Sequence, residues 1–246
     1  MDSMVQCETQ LVGTRVVARF VGHLTVASAP SVRLNLLKCL ADQPDALVVD
    51  LAALTVAQPT ALTVFTAVAR QAAVWPGTPV LLCAPDTTTS ALLSSGSYGR
   101  MAVFDSIDRA LSTDAGPLLP SVREMLLPVS SAARRARDVV TDACTRWHLA
   151  DPVGPACLVA TELVSNAVTH AQTLIDLRVS LRRYLMIAVQ DGSVAEPRLS
   201  VPAPSTLGTG RGLLLVDSVA RRWGSVPVEG GKVVWAALDI GSPPPD

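Results

Sequence analysis

Two different patterns of apolar and polar residues run along the chain, and the change between them falls near residue 113. In the first half, short apolar runs typical of buried strands alternate with segments whose apolar residues recur three and four positions apart, as in helices. The strand candidates are RVVARFVG (15–22), ALVVDL (46–51), TPVLLCA (78–84) and MAVF (101–104), and the helix candidates are PSVRLNLLKCLA (30–41), residues 59–74, TTTSALLSS (87–95) and SIDRAL (106–111). This alternation predicts an α/β layer of crossover units over residues 1–112.

In the second half the order is reversed, with helices first and strands later. The helix candidates are SSAARRARDVVTDACTRWHL (130–149), ACLVATELVSNAVTHA (156–171) and GLLLVDSVARRW (212–223). The strand candidates are IDLRVSLRR (175–183), YLMIAVQD (184–191) and the segment 224–240, which is predicted to form a hairpin turning at Gly230-Gly231. We predict a second α/β domain over residues 129–241, followed by a tail at 242–246.

The segment 113–128 breaks both patterns and contains Pro117, Pro120 and Pro128. We interpret it as the linker between the two domains, because proline interrupts helices and central strands. The alternative is that LLPSVREMLL (118–127) packs as an edge strand or a short helix of the second domain.

Composition excludes several classes of protein. A hydrophobic content of 49% indicates a globular chain rather than a disordered one. The formal net charge of -1 gives no overall field that would attract nucleic acid, so we expect no direct nucleic-acid partner. No apolar run approaches the roughly 18 residues that cross a bilayer, and the start lacks a basic stretch followed by an apolar one. We therefore expect a cytoplasmic protein with no membrane partner.

The five cysteines are scattered along the chain and never form a C-x-x-C pair. Zinc sites and disulfide frameworks both show regular cysteine spacing. We therefore expect free thiols within the core.

The stretch ELVSNAVTH places polar side chains on one face of a predicted helix. Glu162, Asn166 and His170 follow one another at intervals of four residues, while apolar residues cover the opposite face. Taken alone, this pattern is also typical of the solvated face of an amphipathic helix. The choice between a functional and a solvated face depends on the motifs downstream.

Two such motifs follow. Asp191 ends an apolar strand in AVQDGS, and LGTGRGLLLV then brings Gly208, Gly210 and Gly212 to the start of a helix. Free N–H groups at a helix start attract phosphate, and glycine allows a ligand to approach the backbone closely. The spacing is not the G-x-G-x-x-G of a dinucleotide site, and G-x-x-x-x-G-K-[ST] is absent. By themselves these glycines are equally compatible with a plain loop.

In combination and in this order, the motifs resemble those of the GHKL, or Bergerat-fold, ATPases, and in particular the bacterial anti-sigma-factor serine/threonine kinases. ELVSNAVTHA is similar to the N box of that family, and GRGLLLVDSVARRWG and GKVVW are similar to its later boxes. The resemblance covers about Pro128 to Ile240. It implies a Bergerat-fold α/β sandwich that binds ATP and Mg²⁺.

The resemblance also implies roles for single residues. Asn166 would coordinate Mg²⁺ through its amide oxygen, and Glu162 would be the catalytic base that orients or deprotonates the attacking hydroxyl. Asp191, followed by Gly192, would accept a hydrogen bond from the adenine amino group. His170 is expected to be an ordinary residue of the helix surface.

The phosphate groups would be lined by Gly208, Gly210 and Gly212. Arg211 and Lys232 are either charge contacts or solvated residues, and for Lys232 we expect the solvated position. The family commonly has D-x-G with a further glycine after the strand, whereas this chain has Asp191-Gly192-Ser193 and a proline-bearing loop.

The first half resembles a STAS domain, the fold of anti-sigma-factor antagonists, from about Gln10 to Ser112. Such domains carry a D-S-[ST]-G-L motif in which the second hydroxyl residue is phosphorylated. QPTAL (58–62) aligns with this motif and puts Thr60 at the phospho-acceptor position, with only the hydroxyl and the leucine retained. Thr60 is thus either a phospho-acceptor or the helix-start residue of a degenerate STAS domain.

These observations predict an ATP-dependent anti-sigma-type serine/threonine kinase fused to an antagonist-like STAS domain, with a sigma factor or STAS-type antagonist as partner. One alternative is a non-catalytic switch that binds nucleotide or docks a sigma factor. A histidine-kinase catalytic domain is a weaker alternative, because neither His23 nor His148 lies in a helical hairpin. The oligomeric state stays open between a monomer and a homodimer.

Overall fold

The chain forms two compact units, Met1–Leu118 and Leu119–Asp246, in a computed structural model that describes residues 5–98, 101–113, 120–197 and 212–241. Within these residues each unit holds one five-stranded sheet with helices packed on it. The predicted mixed α/β fold class is therefore confirmed.

The first unit has a mostly parallel sheet. Its strands are β1 (Gln6–Val12), β2 (Arg15–Leu24), β3 (Leu47–Val56), β4 (Val80–Cys83) and β5 (Ala102–Phe104), and its helices are α1 (Ala29–Ala41), α2 (Thr63–Val74), α3 (Thr87–Ser94) and α4 (Ile107–Ser112). The strands lie in the order β1-β2-β3-β4-β5, and β2 to β5 run parallel to one another, as crossover connections require. Antiparallel β1 was not predicted, because most of its residues are exposed and it lacks an apolar face.

Aligned apolar residues form part of the core of this sheet. Val17, Val48 and Leu81 lie side by side on neighbouring strands and pack, with Cys83, around Ala110 of α4. Because a parallel sheet is covered on both faces, its strands read as continuous apolar runs, and this made β3 and β4 visible in the sequence.

The second unit has a wholly antiparallel sheet. Its elements are β6 (Ser121–Leu126), α5 (Ala132–Arg146), α6 (Val153–His170), β7 (Ile175–Leu181), β8 (Leu185–Asp191), α7 (Gly212–Val219), β9 (Arg222–Val228) and β10 (Gly231–Leu238). The strand order is β6-β7-β8-β10-β9. Alternate strand residues enter the core shared with the helices, among them Ile175, Leu177, Val179, Leu185, Ile187, Val189, Val234, Ala236 and Leu238.

The segment 113–128 differs from its prediction as a linker. Ser121–Leu126 forms β6, the edge strand of the second sheet, and pairs with β7 along its whole length. Leu126 is buried in the core, and Glu124 forms an ion pair with Arg135 of α5 at 2.8 Å. Only residues 113–120 therefore separate α4 from the second sheet, and the edge-strand alternative describes this segment correctly.

Helix α7 is shorter than predicted. It ends at Val219, and Arg222 and Trp223 belong to β9, where they pair with Ala237 and Ala236 of β10. The apolar spacing continued through this boundary, because Trp223 packs against the same core from a strand. The following hairpin turns at Glu229-Gly230, and Gly230 has a positive φ of 71°.

All five cysteines are free thiols. Burial raises the pKa of Cys39 and Cys83 to about 12 and that of Cys144 to about 11, so these thiols stay protonated near neutral pH. Among the helices in the described ranges, none is long and apolar enough to cross a membrane.

Candidate functional site

Helix α6 carries the polar face that was predicted from ELVSNAVTH. Glu162 and Asn166 are half-buried and His170 is exposed, while Leu163 and Ala167 enter the core of the second unit. A helix rises 1.5 Å per residue, so Glu162 and Asn166 lie about 6 Å apart along its axis. The amide of Asn166 makes no hydrogen bond to any described residue.

Glu162 lies against the start of α7. The helix begins at Gly212, and a β-carbon at that position would overlap the carboxylate of Glu162. With a larger residue at this position the carboxylate would have to move away. The contact places the carboxylate of Glu162 beside Gly212, the first described residue of α7.

Asp191 is the last residue of β8 and has only 5% of its surface exposed. Its Oδ1 accepts a hydrogen bond from the backbone N–H of Ser193 at 2.8 Å. The next N–H, of Gly192, donates to Oγ1 of Thr173 at 2.8 Å. Thr173 follows the C-terminal end of α6, so Asp191 lies towards that end of the helix.

Lys232 is not solvated, and the expectation that it would be is wrong. It is 8% exposed, and its Nζ donates to Oδ1 of Asp191 at 2.8 Å and to the carbonyl of Ser193 at 3.1 Å. In the β8/β10 pair Lys232 lies directly opposite Asp191, and it belongs to the same inward-facing series as Val234. The buried charge of Lys232 is tolerated because the opposite charge of Asp191 lies beside it on the neighbouring strand.

The turn after Asp191 is in close contact with β10 on one side and with Thr173 on the other. A β-carbon at Gly231 would overlap the carbonyl oxygen of Asp191, and one at Gly192 would lie 2.8 Å from Cγ2 of Thr173. Both glycines are therefore needed for close contact between β8, β10 and the loop after α6. These close contacts place the turn at Asp191 beside Lys232.

An open cavity of about 340 Å³ borders this turn. Its lining includes Asp191, Gly192, Gly230 and Thr173, together with Arg123, Met125, Leu174, Asp176 and Gln190. Asp176 is buried and forms ion pairs with Arg123 at 2.9 Å and with Arg178 at 2.8 Å. Sequence reasoning missed this carboxylate, since an aspartate at the second position of IDLRVSL resembles a solvent-facing strand residue.

The remaining predicted residues are not part of this arrangement as described. Gly208, Gly210 and Arg211 lie outside the described residues. Thr60 is exposed in a 3₁₀ turn, Pro59–Leu62, that leads into α2 of the first unit. The side-chain oxygen of Gln58 accepts a hydrogen bond from the backbone N–H of Val26 at 2.8 Å, which fixes the entry to this turn.

The described side chains could bind Mg²⁺ only together with other ligands, such as phosphate oxygens and water. Within the described ranges, no group of three His, Cys, Asp or Glu side chains could hold a metal ion. Mg²⁺ usually keeps several waters and takes few protein ligands when phosphates supply the others. The amide oxygen of Asn166, which accepts no hydrogen bond from a described residue, suits this kind of coordination.

No family model and no curated protein matches the chain. Among solved structures, an anti-sigma factor antagonist from Mycobacterium paratuberculosis is 22% identical and matches over 45% of this chain and 93% of its own, with a TM-score of 0.37. The unphosphorylated anti-sigma factor antagonist SpoIIAA is 15% identical over 46% of this chain and 99% of its own, with a TM-score of 0.38. The RsbU and RsbW domains of a Mycobacterium tuberculosis protein are 14% identical over 50% of this chain and 33% of that one, with a TM-score of 0.38.

Proposed function

We propose that the second unit is an ATP- and Mg²⁺-dependent protein serine/threonine kinase of the anti-sigma-factor type. The observation that carries this proposal is the order of groups along α6. Glu162 touches the start of α7, Asn166 lies one turn further along, and Asp191 lies towards the C-terminal end of the helix. This order supports an extended ligand with a base at one end and phosphates at the other.

Each group supplies one part of nucleotide binding. Asp191 accepts a hydrogen bond from the base amino group, and the first turn of α7 at Gly212 provides N–H groups for the phosphates. Asn166, between them, contributes its amide oxygen to Mg²⁺. By the sequence resemblance, Gly208, Gly210 and Arg211 belong to the same phosphate site.

Glu162 is the residue proposed to handle the proton. It accepts the hydrogen of the substrate hydroxyl while the hydroxyl oxygen forms its bond to the γ-phosphorus and the bond from that phosphorus to the leaving oxygen of ADP breaks. Bound ATP supplies the phosphoryl group. The half-buried position of Glu162 against Gly212 favours this role, because the carboxylate then lies next to the phosphate end of the ligand.

The substrate is proposed to be the hydroxyl of an antagonist-type STAS protein. Thr60 of the first unit is one candidate acceptor, since it is exposed and its hydroxyl makes no hydrogen bond to a described residue. Phosphorylation would then control the availability of a sigma factor in the cytoplasm. This biological role rests on the sequence resemblance of both halves.

Phosphotransfer from labelled ATP with Mg²⁺, to the chain itself and to candidate STAS proteins, tests the proposal. We expect wild-type transfer, and a loss of at least about 100-fold in Glu162→Gln, the size typical of a general base. Glu8→Gln, an exposed glutamate of β1, is the matched control and should transfer normally. Wild-type transfer no greater than that of Glu162→Gln would refute kinase activity.

A second candidate function is a nucleotide-binding switch without catalysis. The turn around Thr60 favours it, because Pro59 has no N–H to offer a partner and the side chain of Gln58 is held by Val26. The first unit would then be a docking module. Binding of ATP without any transfer in the experiment above would support this alternative.

A further inference from the structure

The Asp191–Lys232 pair retains hydrogen-bonding capacity after its own contacts are counted. Oδ1 of Asp191 accepts from both Lys232 and Ser193, whereas no described residue donates to the second carboxylate oxygen. The ammonium of Lys232 has three N–H donors, and the described residues accept two of them. Among the described residues, one acceptor of Asp191 and one donor of Lys232 therefore have no partner, and they lie side by side.

Water can complete few of these hydrogen bonds, because both side chains are nearly buried. The side chain of Lys232 is 10% exposed and that of Asp191 is 4% exposed. Burying such groups destabilises the folded protein unless a partner completes their hydrogen bonds. A ligand that offers a donor and an acceptor at adjacent atoms would satisfy both groups at once.

The edge of adenine has this arrangement. Its amino group is a donor, and the neighbouring ring nitrogen, N1, is an acceptor. Guanine presents the opposite order, an acceptor oxygen beside a ring N–H donor. A carboxylate and an ammonium at fixed positions therefore discriminate between the two bases, as sites built to hydrogen-bond one edge generally do.

We propose that Lys232 is a specificity-determining residue of the nucleotide site. Its ammonium donates to N1 of adenine while the second oxygen of Asp191 accepts from the adenine amino group. This inference rests on the proposed function, since it places the base of ATP at Asp191. The close contacts at Gly231, Gly192 and Thr173 hold the Asp191 carboxylate and the Lys232 ammonium next to each other.

Titration of the full chain with ATP, 1-deaza-ATP and GTP, in Mg²⁺, tests the assignment. In 1-deaza-ATP a C–H group replaces N1, so the wild type should bind it roughly tenfold or more weakly than ATP, as for loss of a hydrogen bond to a charged group. Lys232→Met should bind ATP more weakly and should no longer distinguish it from 1-deaza-ATP. Lys38→Met, at the exposed lysine of α1, is the matched control and should behave as wild type.

The outcomes separate this inference from the proposed function. Equal wild-type affinity for ATP and 1-deaza-ATP would overturn the role of Lys232 alone, as would tighter binding of GTP or full discrimination by Lys232→Met. No wild-type binding of ATP would overturn the nucleotide site as well. Thermal unfolding of each variant shows whether it is folded, and if Lys232→Met is not, the wild-type comparison of the three nucleotides decides.

Discussion

Asp191 and Lys232 bring two opposite charges to a nearly water-free position where β8 ends and β10 begins. Such a pair adds little net stability when complete, because both groups lose their hydration. Removing one partner is costly, since it leaves the other charge buried alone. The pair therefore fixes the geometry of the turn at Asp191 more than it stabilises the unit.

A double-mutant cycle tests this reading of the pair. Lys232→Met should lower the free energy of unfolding of the second unit by about 3 kcal/mol, because the Asp191 carboxylate then has no counter-charge. Asp191→Asn combined with Lys232→Met should lose clearly less than the sum of the single variants. Denaturant unfolding measures these values. Strictly additive losses would mean that the two side chains do not interact.

Thr60 is the proposed phospho-acceptor of the first unit, and its substitution tests whether the chain phosphorylates itself there. Intact-mass analysis after incubation with ATP and Mg²⁺ should find phosphate on the wild type and none on Thr60→Ala. Thr63→Ala is the matched control, because Thr63 is also exposed and lies one turn further along. Equal phosphate uptake by Thr60→Ala and wild type would exclude Thr60 as acceptor.

For single residues, the spacing of polar side chains along the sequence indicated candidate site residues, but the sequence did not indicate which charged side chains are buried. Glu162 and Asn166 were singled out as candidates because four-residue spacing puts side chains on one helix face, and Asp191 because it ends an apolar run. Lys232 could not, since a lysine after two glycines usually lies in solvent. The one available signal was its alternation with Val234 on the inward face of β10.

Helix α3 of the first unit illustrates how a short element is stabilised at its start. Asp86 is its N-cap, and its carboxylate accepts hydrogen bonds from the Thr89 backbone N–H at 2.9 Å and the Thr89 hydroxyl at 2.7 Å. The backbone bond is the main cause that lowers the pKa of Asp86, followed by the hydroxyl bond. The carboxylate form is therefore favoured in the folded state.

Asp86→Ala should lower the free energy of unfolding of the first unit by about 1 kcal/mol near neutral pH. Because the folded pKa is lowered, this contribution is fully present above the unfolded pKa of about 3.9 and is lost as pH falls through the folded value. Denaturant unfolding of wild type and Asp86→Ala, at neutral pH and in strong acid, measures this difference in the free energy of unfolding. A difference between variant and wild type that persists undiminished in strong acid would contradict the account.

Strand β6 shows the limit of reading elements from apolar patterns. Its residues alternate between half-buried and exposed, and Pro120 and Pro128 flank it, so the sequence favoured a linker. Pairing with β7 and burial of Leu126 come from tertiary contacts that no local pattern encodes. The same holds for β1, whose partner β2 was predicted and whose own residues are mostly exposed.

Fragments of the second unit test the assignment of β6. A fragment that starts at residue 119 should be more stable to denaturant than one that starts at residue 129, which lacks β6. The shorter fragment loses Leu126 from the core and the Arg123 ion pair of Asp176, and it exposes the edge of β7 to intermolecular pairing. Equal stability and solubility of the two fragments would contradict this role for β6.

For the whole molecule, the change from alternating elements to helices followed by strands predicted two units with different sheets. Each unit has its own sheet and its own packed helices, which is why a change in sequence pattern could mark the division. The residues proposed to bind nucleotide are all in the second unit, and Thr60 is in the first. The chain therefore holds a candidate kinase and a candidate substrate in fixed proportion.

The proposed kinase activity and the proposed role of Lys232 both require the second unit to bind ATP, and calorimetric titration with and without Mg²⁺ tests this directly. We expect one ATP per wild-type chain, with higher affinity in Mg²⁺. Asn166→Ala should lose the Mg²⁺-dependent part, while Asn35→Ala, the same change on α1, should keep it. Absence of wild-type binding would exclude the nucleotide site, and an unchanged Mg²⁺ effect in Asn166→Ala would exclude Asn166 as the metal ligand.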